Sequence, residues 1–340
     1  MKDLYRYRKQ MLLKEIGDSG QRKLMKSRAV VIGCGALGTA IANTLVRMGV
    51  GFIVIADRDY IEIDNLHRQI LFDEDDIREG LPKSVAAAVK LDKINPKIVI
   101  TPFVTDINAG NIQDVIRGAD CVIDGTDNFE TRFLINDACH KLNIPWIYGG
   151  VVGTYGMSFT IIPGETACFR CFMRDAPKTG ETETCDTAGV LATAVSIIAS
   201  IETTEAVKIL SGNKKDINRE LVTVDIWNGV WKSFQIKKDV NCPLCAKGNY
   251  DFLDERVSSK TVSMCGRNAI QITPGKKTII GFKDIARKLE PIGKVSYNEY
   301  ILKFSADGCE ITLFTDGRAI IKGAKNEAAA RTIFSKYIGL

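Results

Sequence analysis

Ten cysteines occur in the chain, and four of them form two matched pairs, Cys168-Phe169-Arg170-Cys171 and Cys242-Pro243-Leu244-Cys245. Four thiolates in two short knuckles are the usual ligand set of a closed structural Zn2+ site. Such a site keeps no open position for catalysis and would instead pin the loop in the 160s to a strand end near 240. Two redox dithiols, or cysteines packed in a core, are the alternatives. A second group of residues suits a nucleotide. Gly33-Cys34-Gly35-Ala36-Leu37-Gly38 is a G-x-G-x-x-G directly after an apolar run. Gly33, Gly35 and Gly38 permit a tight turn and close backbone approach, and the helix opening there turns its N-terminus toward an anion. Asp57 closes the next apolar run, where a carboxylate holds ribose hydroxyls. A Rossmann-like turn that binds nothing is the alternative. Thr39, standing where a Walker lysine would be, excludes a P-loop.

Cations and carboxylates follow at the ends of the apolar runs. Asp64-Asn65-Leu66-His67-Arg68-Gln69 comes soon after Asp57, and Leu81-Pro82-Lys83-Ser84 opens a helical pattern. A lysine in a first turn opposes the helix dipole, and this makes sense when Lys83 reaches an anionic ligand; the plain alternative is a solvated lysine. Arg68 and Lys83 together look like a triphosphate clamp, more cationic help than a dinucleotide with two backbone phosphates needs. Asp124-Gly125-Thr126-Asp127-Asn128 ends another apolar run. Asp127 suits Mg2+, and Asp127 or Asn128 equally suits the N-cap of the next helix. Cys185, in Thr184-Cys185-Asp186-Thr187-Ala188-Gly189, precedes a helix and is either a nucleophile or an unreactive loop thiol.

The elements that position these residues alternate. Apolar strands are expected at 28–32, 52–56, 98–103, 120–124 and 145–148, with helices at 37–49, 82–93, 108–117 and 129–142 between them. That order predicts an α/β Rossmann-like, mostly parallel sheet with helices on both faces. Short runs at 151–153 and 156–162, a helix at 188–211 and strands near 220–226 and 231–237 suggest an antiparallel extension. A polar helical region at 9–26 is expected to break near Gly17 to Gly20. The 340 residues suggest roughly two domains: 1–245, a linker at 246–262, and a small C-terminal α+β domain at 263–340. In the last, strands are expected near 268–272, 299–304 and 310–314 and helices near 282–290 and 325–337.

Composition narrows the chemistry. Hydrophobic residues make up 45% and charged residues 26%, which excludes disorder and collagen-like repeats. A net charge of +5 does not suggest a protein living on nucleic-acid phosphates. Two histidines make histidine-rich metal sites and repeated histidine acid–base steps poor candidates. The longest uncharged stretch, Leu142 to Gly164, holds five glycines and two prolines and cannot be a membrane-spanning helix. No signal peptide is visible at Met1-Lys2-Asp3-Leu4-Tyr5-Arg6, so a cytoplasmic location with reduced or metal-bound thiols is expected.

In order and type, these motifs resemble the ThiF/MoeB-type adenylyltransferases, bacterial relatives of ubiquitin-activating enzymes that act on the sulfur carriers of thiamine and molybdopterin synthesis. The resemblance runs from Arg6 to Cys245 and includes Arg6-Tyr7-Arg8-Lys9-Gln10 at the N-terminus. It implies that Asp57 holds the ATP ribose, that Asn65, Arg68 and Lys83, beside Asp64, hold the phosphates, and that Asp127, beside Asn128, ligates Mg2+. It implies Zn2+ on Cys168, Cys171, Cys242 and Cys245, and a homodimer in which an N-terminal arginine reaches the neighbouring subunit's ATP. Lys9 aligns with that arginine and Arg8 is adjacent; lysine lacks the bidentate fork. Ala36 stands where many members carry glycine. The implied reaction joins ATP to the C-terminal carboxylate of a ubiquitin-like carrier ending in Gly-Gly. Cys185 would serve a later covalent or sulfur-transfer step supplied by a donor such as a cysteine desulfurase. An NAD-dependent oxidoreductase and a non-catalytic binder of a ubiquitin-like partner are the competing readings. So is a relative activating a small-molecule or RNA-borne carboxylate, which the cysteine pairs argue against. The segments Met264-Cys265-Gly266-Arg267-Asn268 and Asp316 to Gly323 resemble C-terminal extensions of thiamine-type members.

Overall fold

The computed structural model describes residues 2–175, 185–255, 263–264, 269–272 and 280–338; Cys185 is described by its backbone alone, and Thr184 and Cys265 lie outside the described residues. The chain divides into two units, Met1–Ile77 with Lys83–Ser258, and Arg78–Pro82 with Ser259–Leu340.

The larger unit opens with α1 (Arg8–Met11) and α2 (Gly17–Leu24). The expected break in this region falls at 12–16 instead, and Gly20 lies inside α2, where a Cβ would meet Ile16 and Ser211 at 3.4 Å. Then come β1 (Arg28–Ile32), α3 (Ala36–Met48), β2 (Phe52–Asp57), α4 (Glu74–Glu79), α5 (Lys83–Ile94) and β3 (Val99–Val104). After α6 (Ile112–Ile116) follow β4 (Cys121–Asp124), α7 (Phe129–Leu142), β5 (Trp146–Val152) and β6 (Tyr155–Ile161). The unit ends with α8 (Phe169–Phe172), α9 (Cys185–Ala188), α10 (Ala192–Ser211), β7 (Leu221–Asp225) and β8 (Val230–Phe234). Termini follow local chemistry: α3 and α10 end on Gly49 and Gly212 in the left-handed region, and α7 runs from an Asn128 cap to a left-handed Asn143.

One sheet of eight strands, in the order β3-β2-β1-β4-β5-β6-β7-β8, forms the frame. The first five strands in that order pair in parallel, and β5 to β8 pair antiparallel. This is the expected α/β class with its antiparallel extension, although β5 runs on to Val152 and absorbs the run expected at 151–153. The chain winds outward from β1 to β3, then restarts at β4 on the other side of β1. Strand order switches at β1 and β4, and the carboxyl ends of those strands are where open α/β sheets place their ligand crevice. None of the helices among the described residues is long and apolar enough to cross a membrane.

Part of the stretch expected as a linker packs into this unit. Phe252 and Leu253 are buried, and the Phe252 ring stacks on Phe133 at 4.7 Å. Their backbone N–H groups donate to Asp137 Oδ2 at 2.9 and 3.3 Å, and Arg170 Nη1 pairs with Asp251 at 2.9 Å. Polar composition hid this because two aromatic or aliphatic side chains in a charged stretch suffice to dock it.

The smaller unit holds a six-stranded antiparallel sheet, β11-β12-β13-β14-β10-β9, with β9 (Ser263–Met264), β10 (Ala269–Ile272), β11 (Lys294–Tyr297), β12 (Ile301–Ala306), β13 (Cys309–Phe314) and β14 (Ala319–Lys322). Helices α11 (Phe282–Leu289) and α12 (Glu327–Tyr337) bury Phe282, Leu289 and Phe334 against Phe304 and Leu313. The Asp316-Gly317-Arg318 motif makes the β13–β14 turn. Asp316 accepts from the Arg318 amide at 3.1 Å and from its Nε at 2.6 Å, and the guanidinium lies 4.6 Å from the Phe314 ring centre.

Burial pushes the Asp137 carboxyl up to about 6, above the ordinary aspartate value of about 3.9. Between those values the native chain holds a proton that the unfolded chain has released, so this group's contribution to stability falls as pH rises. Asp137→Asn keeps an acceptor for the Phe252 and Leu253 amides. Its thermal midpoint is expected to exceed that of the unaltered protein at pH 7.5, with the slope across roughly pH 4 to 6 flattened. Melting curves at graded pH that leave the slope unchanged would contradict this.

Candidate active site

The crevice is built from backbone first. Gly33 has φ +91°, and a Cβ there would lie 2.4 Å from the Gly125 carbonyl oxygen. A Cβ on Gly38 would lie 1.9 Å from the Gly33 oxygen, whereas one on Gly35 meets only the Gly125 oxygen at 3.9 Å. Gly33 and Gly38 therefore serve the interlocking of the two turns, and Gly35 leaves open space at the start of α3. The half-buried Ala36 follows it as the first residue of that helix. Gly125 is a third required glycine, since its Cβ would lie 2.4 Å from the Gly33 oxygen. Sequence reading passed over it; the available signal was its place immediately after the last residue of β4.

Asp57 ends β2 with both oxygens engaged. Oδ2 accepts from the Cys34 amide and Oδ1 from the Asp59 amide, each at 2.6 Å. Burial pushes this carboxyl up, and the Lys83 charge works against that. Lys83 opens α5 and is 3% exposed; its amide donates to the Asp59 carbonyl at 2.9 Å and its Nζ pairs with Asp59 Oδ2 at 3.4 Å. Arg58 adds a cation that sequence reading did not select. Its Nη1 donates to Asp106 at 2.9 Å, its Nε stands 3.9 Å from Asp59 Oδ1, and Asp127 lies within its electrostatic reach.

The turn after β4 is held by Arg132, also unselected. Its Nε donates to Asp124 Oδ2 at 3.1 Å, and its Nη2 donates to the carbonyls of Thr126 at 2.7 Å and Gly149 at 3.1 Å. Asp124 Oδ1 takes the Thr126 amide at 2.8 Å and hydroxyl at 2.6 Å. Burial pushes the Asp124 carboxyl up, against Arg132 and Thr126. Asn128 caps α7 by accepting from the Thr131 amide at 2.9 Å, so the cap falls to Asn128 and the exposed Asp127 carboxylate is left for another use.

The remaining candidates are placed differently. Asn65 is 1% exposed and braces its own turn: Oδ1 accepts from the Glu62 amide at 3.2 Å, and Nδ2 donates to the exposed Asp64 at 2.9 Å. Arg68 is half-buried, with Nη1 on the Asp64 carbonyl at 2.6 Å. Arg8 and Lys9 are exposed on α1. Cys185 begins α9, a separate turn, because Gly189 takes φ +75° and α10 starts only at Ala192.

Cys168, Cys171, Cys242 and Cys245 converge, with all four sulfurs within 4.8 Å of one another. The Cys168–Cys171 separation is 3.8 Å, and Cys168–Cys242 and Cys171–Cys245 are 3.4 Å. A tetrahedron of ~2.3 Å Zn–S bonds has edges of about 3.8 Å, so the donor set is compatible with zinc. Hydrogen bonds from Cys168 and Cys245, with the Asp239 amide, hold the Cys171 thiol well below the ordinary cysteine range.

A Rossmann-like sheet with a glycine turn at its switch point, an antiparallel extension and a four-cysteine cluster defines the class of α/β protein to which the chain belongs. The chain belongs to the ThiF family, whose model matches residues 7–244. It is 41% identical over 338 residues to the sulfur carrier protein ThiS adenylyltransferase of Bacillus subtilis, covering 98% of this chain and 99% of that one. It is 38% identical to the protein of the same name from Escherichia coli, over 74% of this chain and 98% of that one. Among solved structures, Escherichia coli MccB superposes with a TM-score of 0.61 over 68% of each chain at 24% identity, a likeness of fold.

The different settings of Gly35 and Gly38 predict different losses. Gly38→Ala is expected to lower the thermal midpoint, because its methyl meets the Gly33 backbone at 1.9 Å. Gly35→Ala is expected to fold normally and to lose ATP affinity, measured by calorimetry, because its methyl occupies the space left for a phosphate. Equal melting points for the two variants would contradict this division.

Proposed function

We propose that the protein adenylylates the C-terminal carboxylate of a ubiquitin-like sulfur-carrier protein. The carboxylate oxygen forms a bond to the ATP α-phosphorus, the bond to the departing pyrophosphate breaks, and an acyl-adenylate remains. The observation that carries this reading is Lys83: a cation 3% exposed, in the first turn of a helix, beside the glycine turn and the Asp57 carboxylate. Asp59 Oδ2 at 3.4 Å offsets part of the cost of a cation at this helix start, and a bound phosphate would offset the rest. The family membership and the names of the relatives supply the carrier class.

A carboxylate nucleophile needs no general base, which agrees with a chain holding two histidines. Catalysis then consists of positioning and charge stabilisation. Asp57 takes the ribose, while Arg68 and Lys83 take the phosphates, with Asn65 and Asp64 shaping the turn that carries Arg68. Mg2+, when bound, neutralises phosphate charge, and the exposed oxygens of Asp127 suit that hard cation. Zn2+ on the four cysteines is structural, tying α8 to the segment after β8. Arg8 and Lys9, exposed on α1, are available to the ATP site of a second copy in a homodimer. Cys185 would handle the activated carrier or sulfur afterwards, with a cysteine desulfurase as the kind of donor required. Reduced or metal-bound thiols fit a cytoplasmic location.

ATP–pyrophosphate exchange, with and without a carrier ending in Gly-Gly, tests the first step. Lys83→Ala, Arg68→Ala and Asp127→Ala are each expected to slow carrier-dependent exchange by roughly 10²-fold or more. Cys185→Ser is expected to retain exchange and to lose only later sulfur transfer, since the carboxylate attacks phosphorus without a thiol. Near-normal exchange by all three charge variants would overturn the site assignment.

Metal analysis is expected to find one zinc per chain, with Cys242→Ser losing both zinc and thermal stability. A Cys242→Ser protein that keeps both would remove the structural zinc site.

A further inference from the structure

We propose that Asp59 is a positioning residue for the nucleotide lysine: it fixes the buried Lys83 ammonium beside the glycine turn and keeps it from collapsing onto the ribose carboxylate, Asp57. This rests on the adenylylation reading for its catalytic consequence, but its binding consequence stands apart from that reading.

Three contacts converge on this one residue. The Asp59 amide donates to Asp57 Oδ1 at 2.6 Å, its carbonyl accepts from the Lys83 amide at 2.9 Å, and its Oδ2 lies 3.4 Å from Lys83 Nζ. The pair is poorly screened, Lys83 being 3% and Asp59 15% exposed. Lys83 sits where the dipole of α5 opposes a cation, so an anion beside it is needed before any nucleotide arrives. Two carboxylates compete to be that anion, since Asp57 also lies within the field of Lys83. An ammonium drawn onto Asp57 would neutralise the ribose acceptor and vacate the phosphate position together. Asp59 prevents this because it is itself held from behind. Arg58 Nε stands 3.9 Å from its other oxygen, and Arg58 is anchored to Asp106 at 2.9 Å. The row Asp106–Arg58–Asp59–Lys83 thus sets the direction of the last cation, and each member comes from the carboxyl end of β2 or β3 or the first turn of α5.

Sequence spacing alone does not reveal this role, because Asp59 follows Asp57 by two residues in a turn rich in charge. The role depends on the carboxylate facing the helix that begins twenty-four residues later.

The test is a double-mutant cycle in ATP affinity, measured by calorimetry on the full chain: the unaltered protein, Asp59→Asn, Lys83→Ala and the double variant. Asp59→Asn is expected to weaken ATP binding on the order of tenfold or more. In the Lys83→Ala background the same change is expected to alter affinity by less than about twofold, since the residue it directs is gone. Unweakened binding by Asp59→Asn, or equal losses in both backgrounds, would overturn the proposal; the latter marks a purely structural aspartate. If Asp59→Asn fails to fold, Asp59→Glu replaces it in the same cycle, with loss expected only where Lys83 is present. Pyrophosphate exchange is read separately. Unaltered protein that binds ATP but exchanges nothing with any carrier overturns the adenylylation reading, and the affinity cycle then decides on Asp59 alone. Unaltered protein that binds no ATP overturns both.

Discussion

The contact on which the site depends is one between backbones. Where strand order switches between β1 and β4, the turns that follow them press together, with Gly33, Gly38 and Gly125 facing one another at distances that exclude any Cβ. Bare backbone at this junction lets α3 start close to the sheet and aim its N-terminus across the crevice. The carboxylates then fasten what the glycines bring together. Asp57 ties the Cys34 amide to the Asp59 amide, and Asp124 with Arg132 ties the β4 turn to β5. Buried acids used in this way resist ionisation, and the neighbouring cations, Lys83 for Asp57 and Arg132 for Asp124, offset that resistance.

The four-cysteine cluster belongs to the aromatic core. Cys168 and Cys171 flank Phe169, whose ring meets Phe133 edge-on at 5.1 Å and Trp146 at 5.5 Å. The knuckle is therefore part of the same core that carries α7, the helix beginning at the Asp127 turn. Phe252, stacked on Phe133, extends that core to the segment after the second cysteine pair. The cysteine cluster, the aromatics and the Asp137 clamp together join the segment after β8 to α7 and α8.

Strand and helix order, the glycine turn, the strand-end place of Asp57, the helix-start place of Lys83 and the pairing of the cysteines were legible in the sequence, because each is a local pattern. A β-branched run followed by glycines makes a strand and a turn wherever it occurs, and a Cys-x-x-Cys carries its spacing with it. The α7 boundaries expected at 129–142 are those observed, since Asn128 and Asn143 are themselves the caps.

What only the tertiary structure decided are relations between residues far apart in the chain. Gly125 becomes obligatory only when β4 is laid beside β1; Arg132 becomes a clamp only when β5 brings the Gly149 carbonyl to it. Asp127 and Asn128 were interchangeable as caps until the helix phase gave the Thr131 amide to Asn128. The segment at 246–262 read as linker because polar composition says nothing of two side chains finding a groove, yet Phe252 and Leu253 found one. Asp59 was one acid among several in a charged turn, and its meaning came from facing Lys83 across a fold-made gap of 3.4 Å. Sequence by itself determined which chemical groups were present and which local turns they could make. The distances that turn those groups into a site arise from strand order, and strand order is a property of the whole sheet.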